Sequence, residues 1–212
     1  MDGDRAPIAA LDAVARRHDA MLILDEAHAT AVHGPGGRGL GAALEGQPHV
    51  IALHTCGKGL GVEGALVTAA RPVIDLLVNR GRSFVFSTAP SPLMAVAAGA
   101  ALVRMTQGDA LRARLRALID HAAHRLCAPL GLPAPASQIL PVILADDART
   151  MRVAAALQAA GFDVRGIRPP TVPRGTARLR ISLTLNVDAA AIGQLGEALC
   201  AALDAPLDRA PQ

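Results

Sequence analysis

Three side chains are placed to do chemistry. Asp25 and His28 stand three residues apart in Leu24-Asp25-Glu26-Ala27-His28, directly after an apolar run. A carboxylate at a strand end followed by an imidazole is a recurring site arrangement, and the imidazole exchanges protons near neutral pH. Lys58 stands in Thr55-Cys56-Gly57-Lys58-Gly59-Leu60-Gly61. Glycines let the backbone approach a ligand closely. An amine held among small residues can be desolvated, so its pKa falls and it becomes a usable nucleophile. It is also the single lysine of the chain; the other basic residues are arginines, whose guanidinium stays protonated and forms no imine.

Blander readings stand beside these. The acidic stretch could be a solvated loop with a capping Asp, and Lys58 an exposed turn residue. A sharper rival is the DEAH box of helicases, in which the acidic pair serves Mg²⁺ and ATP, and Ser87-Thr88-Ala89 faintly resembles a further helicase motif. That reading needs a phosphate loop of the form G-x-x-x-x-G-K-[ST]. Around Lys58 it fails twice, with Ala52 at the first glycine position and Gly59 after the lysine. No downstream arginine-rich helicase motif is present.

These groups must be held by regular elements. The spacing predicts a helix over 6–18, with Asp4 as N-cap and Pro7 in its first turn. The run 20–24 reads as a strand buried on both faces of a parallel sheet. Further strands are expected over 49–53, 65–68 and 83–87, and helices over 72–79 and 92–107, the latter buried. Alternating helix and strand argue for an α/β sheet with crossover connections, whose ligands collect past the carboxyl ends of strands. Asp25 and the stretch 55–58 both follow strand ends and are candidates to face one site. From Gly108 the pattern changes to an amphipathic helix over 109–130 and a Pro-rich connection over 131–137. A strand over 139–144, a helix over 147–160, a strand over 162–164 and a rigid turn at Arg168-Pro169-Pro170 follow. A strand over 177–185 and a closing helix over 188–203 complete a small α+β domain. The expected division is 1–107, 108–204 and a frayed tail over 205–212.

Composition narrows the function classes. The chain has 212 residues, 51% of them apolar, a formal net charge of +3 and three cysteines. Disorder needs lower hydrophobicity and higher net charge, and a disulfide scaffold needs more cysteines. A stacking-based nucleic-acid binder needs aromatic platforms, whereas Trp and Tyr are absent and Phe numbers three. The densest charge group, Arg112, Arg114 and Arg116, reads as a solvated helix face. No signal peptide and no apolar run of spanning length is visible. A reducing cytoplasmic compartment is expected, with neither nucleic acid nor membrane as partner.

Several segments together resemble the α-oxoamine synthase family of pyridoxal-phosphate (PLP) enzymes of fold type I. They are Met1-Asp2-Gly3-Asp4-Arg5-Ala6-Pro7, Asp25-Glu26-Ala27-His28-Ala29-Thr30, Gly34-Pro35-Gly36-Gly37-Arg38-Gly39 and the Lys58 loop. Phe86-Ser87-Thr88-Ala89-Pro90 and Ile167-Arg168-Pro169-Pro170-Thr171-Val172-Pro173, leading to Ala177-Arg178-Leu179-Arg180, continue the series. The resemblance runs in order along essentially the whole chain. It implies part of a fold-type-I large domain with a mostly parallel sheet, followed by a small α+β domain. Met1 matches a methionine inside the large domain of a full-length member, so the chain is expected to correspond to a C-terminal half, with apolar surface left uncovered.

The resemblance also implies roles. Lys58 would be the covalent anchor of PLP and the catalytic acid/base. Asp25 would pair with the pyridinium nitrogen and His28 with the phenolic oxygen. Thr55 would contact the phosphate, and Thr88 would do so across a homodimer interface. Thr171 and Arg180 would meet the substrate, Arg180 gripping an amino acid carboxylate. The Ile-Arg-Pro-Pro-Thr-Val-Pro stretch points to the branch that condenses L-alanine with a pimeloyl thioester, on CoA or acyl-carrier protein, with loss of CO₂. Branches using glycine with acetyl-CoA or succinyl-CoA share Lys58, Asp25 and His28. A partial protein that only dimerises, or the product of a degenerate gene, is the non-catalytic alternative. Two departures stand out: Ala29 where members usually carry Gly, and Leu185-Asn186-Val187 where many have a His.

Overall fold

The computed structural model describes residues 1–204; the tail expected over 205–212 lies outside them. The chain divides into two compact units, one of Ala6–Arg112 and one that joins Met1–Arg5 to the chain from Ala113 onward.

The first unit opens with α1 (Ile8–Arg17), followed by β1 (Leu22–Asp25), β2 (Val50–Thr55) and β3 (Ala65–Thr68). The three strands form one sheet in the order β1-β2-β3. β1 and β2 are parallel, with Asp25 opposite Leu53, while β3 returns antiparallel to β2. The core here is small: Leu24, Val50 and Ala52, packed by Ile8, Leu22 and Leu44. Four helices complete the unit's helical part: α2 (Arg71–Arg80), α3 (Arg82–Val85), α4 (Pro92–Thr106) and the start of α5 (Asp109–Ala122).

Several expectations need correction in this unit. Helix α1 starts at Ile8 behind Pro7 with no side-chain cap, so Asp4 does not cap it. β1 is buried on one face only, since Ile23 on the other face is 69% exposed. The stretch expected as a strand over 83–87 is the helical turn α3, because the Phe84, Val85 and Phe86 amides fold back onto the Gly81 and Arg82 carbonyls. A short apolar run does not by itself distinguish the two states. Helix α4 forms where expected, with Ser91 capping Leu93, but none of its residues is buried. Leu93, Val96 and Val103 on α4, like Phe84 and Phe86 before it, are exposed, in keeping with uncovered apolar surface. Arg112 is not solvated: it is 5% exposed, paired with Asp109 and bonded to the Met105 carbonyl, whereas Arg114 and Arg116 are exposed.

The second unit carries the larger core. After α5, the helical path widens through Ala123–Cys127 and tightens through Ala128–Leu130 before Gly131 ends it. β4 (Ile139–Ala145), α6 (Asp147–Ala159), β5 (Arg165–Ile167), β6 (Ala177–Ser182) and α7 (Ala189–Asp204) follow. The antiparallel sheet has β6 in the centre, in the order β4-β6-β5. Pro141 is tolerated because β4 is an edge strand. The strand expected over 162–164 lies at Arg165–Ile167 instead. Phe162 and Val164 turn the backbone there, the Phe162 amide bonding Leu157 and the Val164 amide bonding Phe162. Pro169-Pro170 is cis. Leu126, Leu140, Leu157, Leu179, Ile192 and Leu199 fill the centre. Burial pushes the Cys127 thiol above its ordinary range, so this core cysteine is no ready nucleophile. Asp2 pairs with the buried Arg178 of β6, which also bonds the Thr176 carbonyl at 2.8 Å. That pair anchors the first residues of the chain to this unit.

Leu157 is fully buried between α6 and the sheet, and Leu157→Ala should cost about 2–5 kcal/mol in urea unfolding. Asp12 accepts from Arg16 at 2.9 Å and lies 2.7 Å from His49 Nε2; the Arg16 hydrogen bond first, and His49 second, hold its carboxyl below the usual range. A depressed carboxylate contributes stability that is full above its unfolded pKa. That contribution is expected above about pH 4 and is lost as pH falls through the lower folded value. Asp12→Asn should therefore flatten the acid limb of unfolding-midpoint against pH.

Candidate active site

Parallel pairing decides where the candidate residues emerge. Asp25 is the last residue of β1 and Thr55 the last of β2. Because these strands run the same way, both ends open at one edge of the sheet, where α/β proteins collect ligands. Asp25 is exposed, and its Oδ1 accepts the Ala27 N–H at 2.9 Å, which starts the turn over 26–33. His28 is exposed within that turn.

The Lys58 loop is built by the return from β2 to β3. Cys56 donates to the Gly64 carbonyl at 2.9 Å, Val62 to Cys56 at 3.1 Å and Gly61 to Lys58 at 3.2 Å. Lys58 is thus exposed at the tip of a closed turn. Its neighbour Gly59 lies against the 26–33 turn, where a Cβ would come within 2.5 Å of the Thr30 carbonyl oxygen. Only a residue without Cβ allows the two loops to approach so closely.

Thr55 provides a further observation. Its Oγ1 is buried and has no hydrogen-bond partner among the described residues. A buried hydroxyl left unpaired is costly, so an acceptor brought by a ligand fits this position. A phosphate oxygen is such an acceptor, and the residues present are therefore compatible with a phosphorylated cofactor.

Asp25, His28, Thr55 and Lys58 are thus gathered at one sheet edge. Thr88 is exposed in the link between α3 and α4 of the same unit. Thr171 and Arg180 belong to the other unit. Thr171 is exposed, its N–H bonding the Arg168 carbonyl at 3.1 Å; Arg180 is half-buried on the central strand β6, in register with Pro141 and Arg165.

Three residues without an expected role join the site. Thr30 is buried, and its hydroxyl donates to the Glu26 carbonyl at 2.8 Å. That spends its one proton, so it accepts from His54 Nδ1 at 2.9 Å, which fixes the proton of a neutral His54 on Nδ1. The pair ties the 26–33 turn to the end of β2. Glu26 is buried under the same turn. A Thr four residues after Glu26 and a His just before Thr55 were the available signals, but only folding brings them together.

The chain's likeness to known proteins agrees with this architecture. The family model for aminotransferase class I and II matches residues 1–199. An 8-amino-7-oxononanoate synthase from Anaeromyxobacter dehalogenans is 48% identical over 195 residues, covering 91% of this chain and 49% of the relative. Serine palmitoyltransferase from S. paucimobilis, solved with PLP and myriocin bound, superposes with a TM-score of 0.86 at 28% identity, over 95% of this chain and 52% of its own. The 8-amino-7-oxononanoate synthase of Francisella tularensis gives a TM-score of 0.75 at 28% identity, over 89% and 56%. The chain spans about half the length of the curated relatives it matches. It belongs to the aminotransferase class I and II family.

Proposed function

We propose that the chain carries the lysine-bearing part of a PLP-dependent acyltransferase of the α-oxoamine synthase type. The reaction joins L-alanine to a pimeloyl thioester and releases CO₂ and the free thiol of CoA or acyl-carrier protein, giving 8-amino-7-oxononanoate. The observation that carries this reading is the unpartnered, buried Thr55 hydroxyl three residues before the only lysine, at the edge where Asp25 also emerges. The names of the curated relatives support the choice of reaction.

Bound PLP supplies an electron sink for the pair left at the amino acid α-carbon. Lys58 would be the covalent anchor and the group that takes the α-proton and returns one. Asp25 holds the proton on the ring nitrogen, which keeps the sink effective. His28 donates to the phenolic oxygen, and Thr55 to the phosphate. Arg180 offers a two-pronged grip on the alanine carboxylate, with Thr171 as a further substrate contact. Thr88 reaches the phosphate from the second subunit of a homodimer; its setting among exposed Phe84, Phe86, Leu93 and Val96 supports an interface there. The three free cysteines suit a reducing cytoplasm, and among the described residues no helix is long and apolar enough to cross a membrane.

Borohydride reduction in the presence of PLP should place a stable pyridoxyl label on Lys58, read by mass spectrometry, with the chain alone or mixed with the N-terminal half of the Anaeromyxobacter relative. No label under either condition removes the cofactor assignment. Thr55→Val should raise stability by about 1 kcal/mol, by removing an unpaired buried hydroxyl, yet weaken PLP binding about tenfold. The choice of branch is read from product. Turnover of L-alanine with a pimeloyl thioester is expected, and turnover of glycine with acetyl-CoA or succinyl-CoA alone would overturn it.

A further inference from the structure

Glu26 directly follows Asp25, yet the two carboxylates differ in every respect. Asp25 is exposed, whereas Glu26 is 4% exposed and makes no ion pair among the described residues. Its oxygens instead accept two backbone amides from one loop, Leu40 N–H at 3.0 Å and Gly41 N–H. A buried carboxylate is tolerated when oriented donors replace water. The loop is shaped around it. A Cβ on Gly39, whose φ is +100°, would lie 2.6 Å from Glu26 Cδ, and one on Gly41 would lie 2.9 Å from Oε1.

The same loop grips the turn after Glu26 at two more points. Ala31 donates to the Gly37 carbonyl at 2.7 Å, and Gly39 to His33 at 2.9 Å. That turn carries His28 and Thr30, and the Thr30 carbonyl is the surface against which Gly59 of the lysine loop rests. A continuous path therefore runs from the Glu26 carboxylate through the glycine loop and the turn to Lys58.

We propose that Glu26 is a positioning residue: its carboxylate pins the 39–41 backbone and so fixes the turn that presents His28 and supports the Lys58 loop. The purpose assigned to that geometry rests on the cofactor reading above; the clamp itself does not. Two measurements without cofactor test it. In Glu26→Gln one oxygen is replaced by an NH₂ that cannot accept, so amide hydrogen exchange over 37–44 should rise about tenfold while that of β1 and β2 stays unchanged. The labelling rate of Lys58, the sole lysine, with trinitrobenzenesulfonate, read at that residue by peptide mapping, should change severalfold once its loop is no longer held. Unchanged exchange overturns the clamp. Raised exchange with an unchanged Lys58 rate shows a purely structural contact and overturns the positioning role. Should Glu26→Gln fail to fold, Gly39→Ala decides: a methyl set against the Glu26 carboxyl should displace the loop and change the Lys58 labelling rate severalfold, and an unchanged rate overturns the proposal. Failure of the cofactor reading is recognised separately, by the absence of a pyridoxyl label in the unmutated protein.

Discussion

The parallel pairing of β1 with β2 is the constraint on which the site depends. Its register sets Leu22 against Val50 and Asp25 against Leu53, and the Glu26 amide extends the ladder by one bond to the Leu53 carbonyl at 2.8 Å. Two strands running the same way deliver their last residues to the same edge. An antiparallel partner would have carried Thr55 and Lys58 to the far end from Asp25. The antiparallel β3 then matters for a different reason: it makes the chain reverse between Thr55 and Ala65, and that reversal is the closed turn holding the lysine.

The loops at this edge combine small buried side chains, Ala27, Ala29, Cys56 and Leu60, with directional polar contacts. The nearby core is three buried side chains, Leu24, Val50 and Ala52. Against it stand the Asp25–Ala27, Thr30–Glu26, Thr30–His54 and Cys56–Gly64 hydrogen bonds. Each is worth only about 1 kcal/mol net, but each is directional, which apolar contact is not. A site that must fix an amine, an imidazole and a carboxylate relative to one another gains more from direction than from area. The other unit is built differently, with Leu126, Leu157, Leu179 and Leu199 in a well-filled interior around β6. There a rigid central strand carries Arg180.

Much of this was legible in the chain itself. The strands expected over 49–53 and 65–68 form at Val50–Thr55 and Ala65–Thr68, because short apolar runs sit between turn formers. Asp25, expected just past its strand, is instead the last residue of β1, while Lys58 lies in the loop after β2 as its flanking glycines suggest. What could not be read was direction and cover. Nothing in Ala65–Thr68 says whether it runs with or against its neighbour. The apolar sequence of α4 signals burial, yet burial depends on what lies opposite, and Leu93, Val96 and Val103 are exposed. Arg112 failed for the converse reason. Its charge suggested water, but a carbonyl at Met105 and a carboxylate at Asp109 stand where a guanidinium can fork between them. Thr30 and His54 were invisible as a pair, since 24 residues separate them and only the β1–β2 pairing closes the gap.

The contrast between Asp25 and Glu26 follows from the same strand geometry. Successive residues of an extended chain point to opposite faces, so neighbouring carboxylates at a strand end must take different surroundings. Asp25 faces outward and can meet a cation. Glu26 faces inward and accepts from loop backbone. Its longer side chain reaches the 39–41 amides, and glycines there leave it room. Read as a pair, two adjacent acids suggest a shared Mg²⁺, as in a helicase box. The alternation separates them instead into one acid available to a ligand and one committed to holding the loops around it. Gly39 lies directly on the carboxylate and Gly41 on Leu24 and the carboxylate together, whereas Gly37 faces Ala31 and Arg112 and Gly34 faces Gly39.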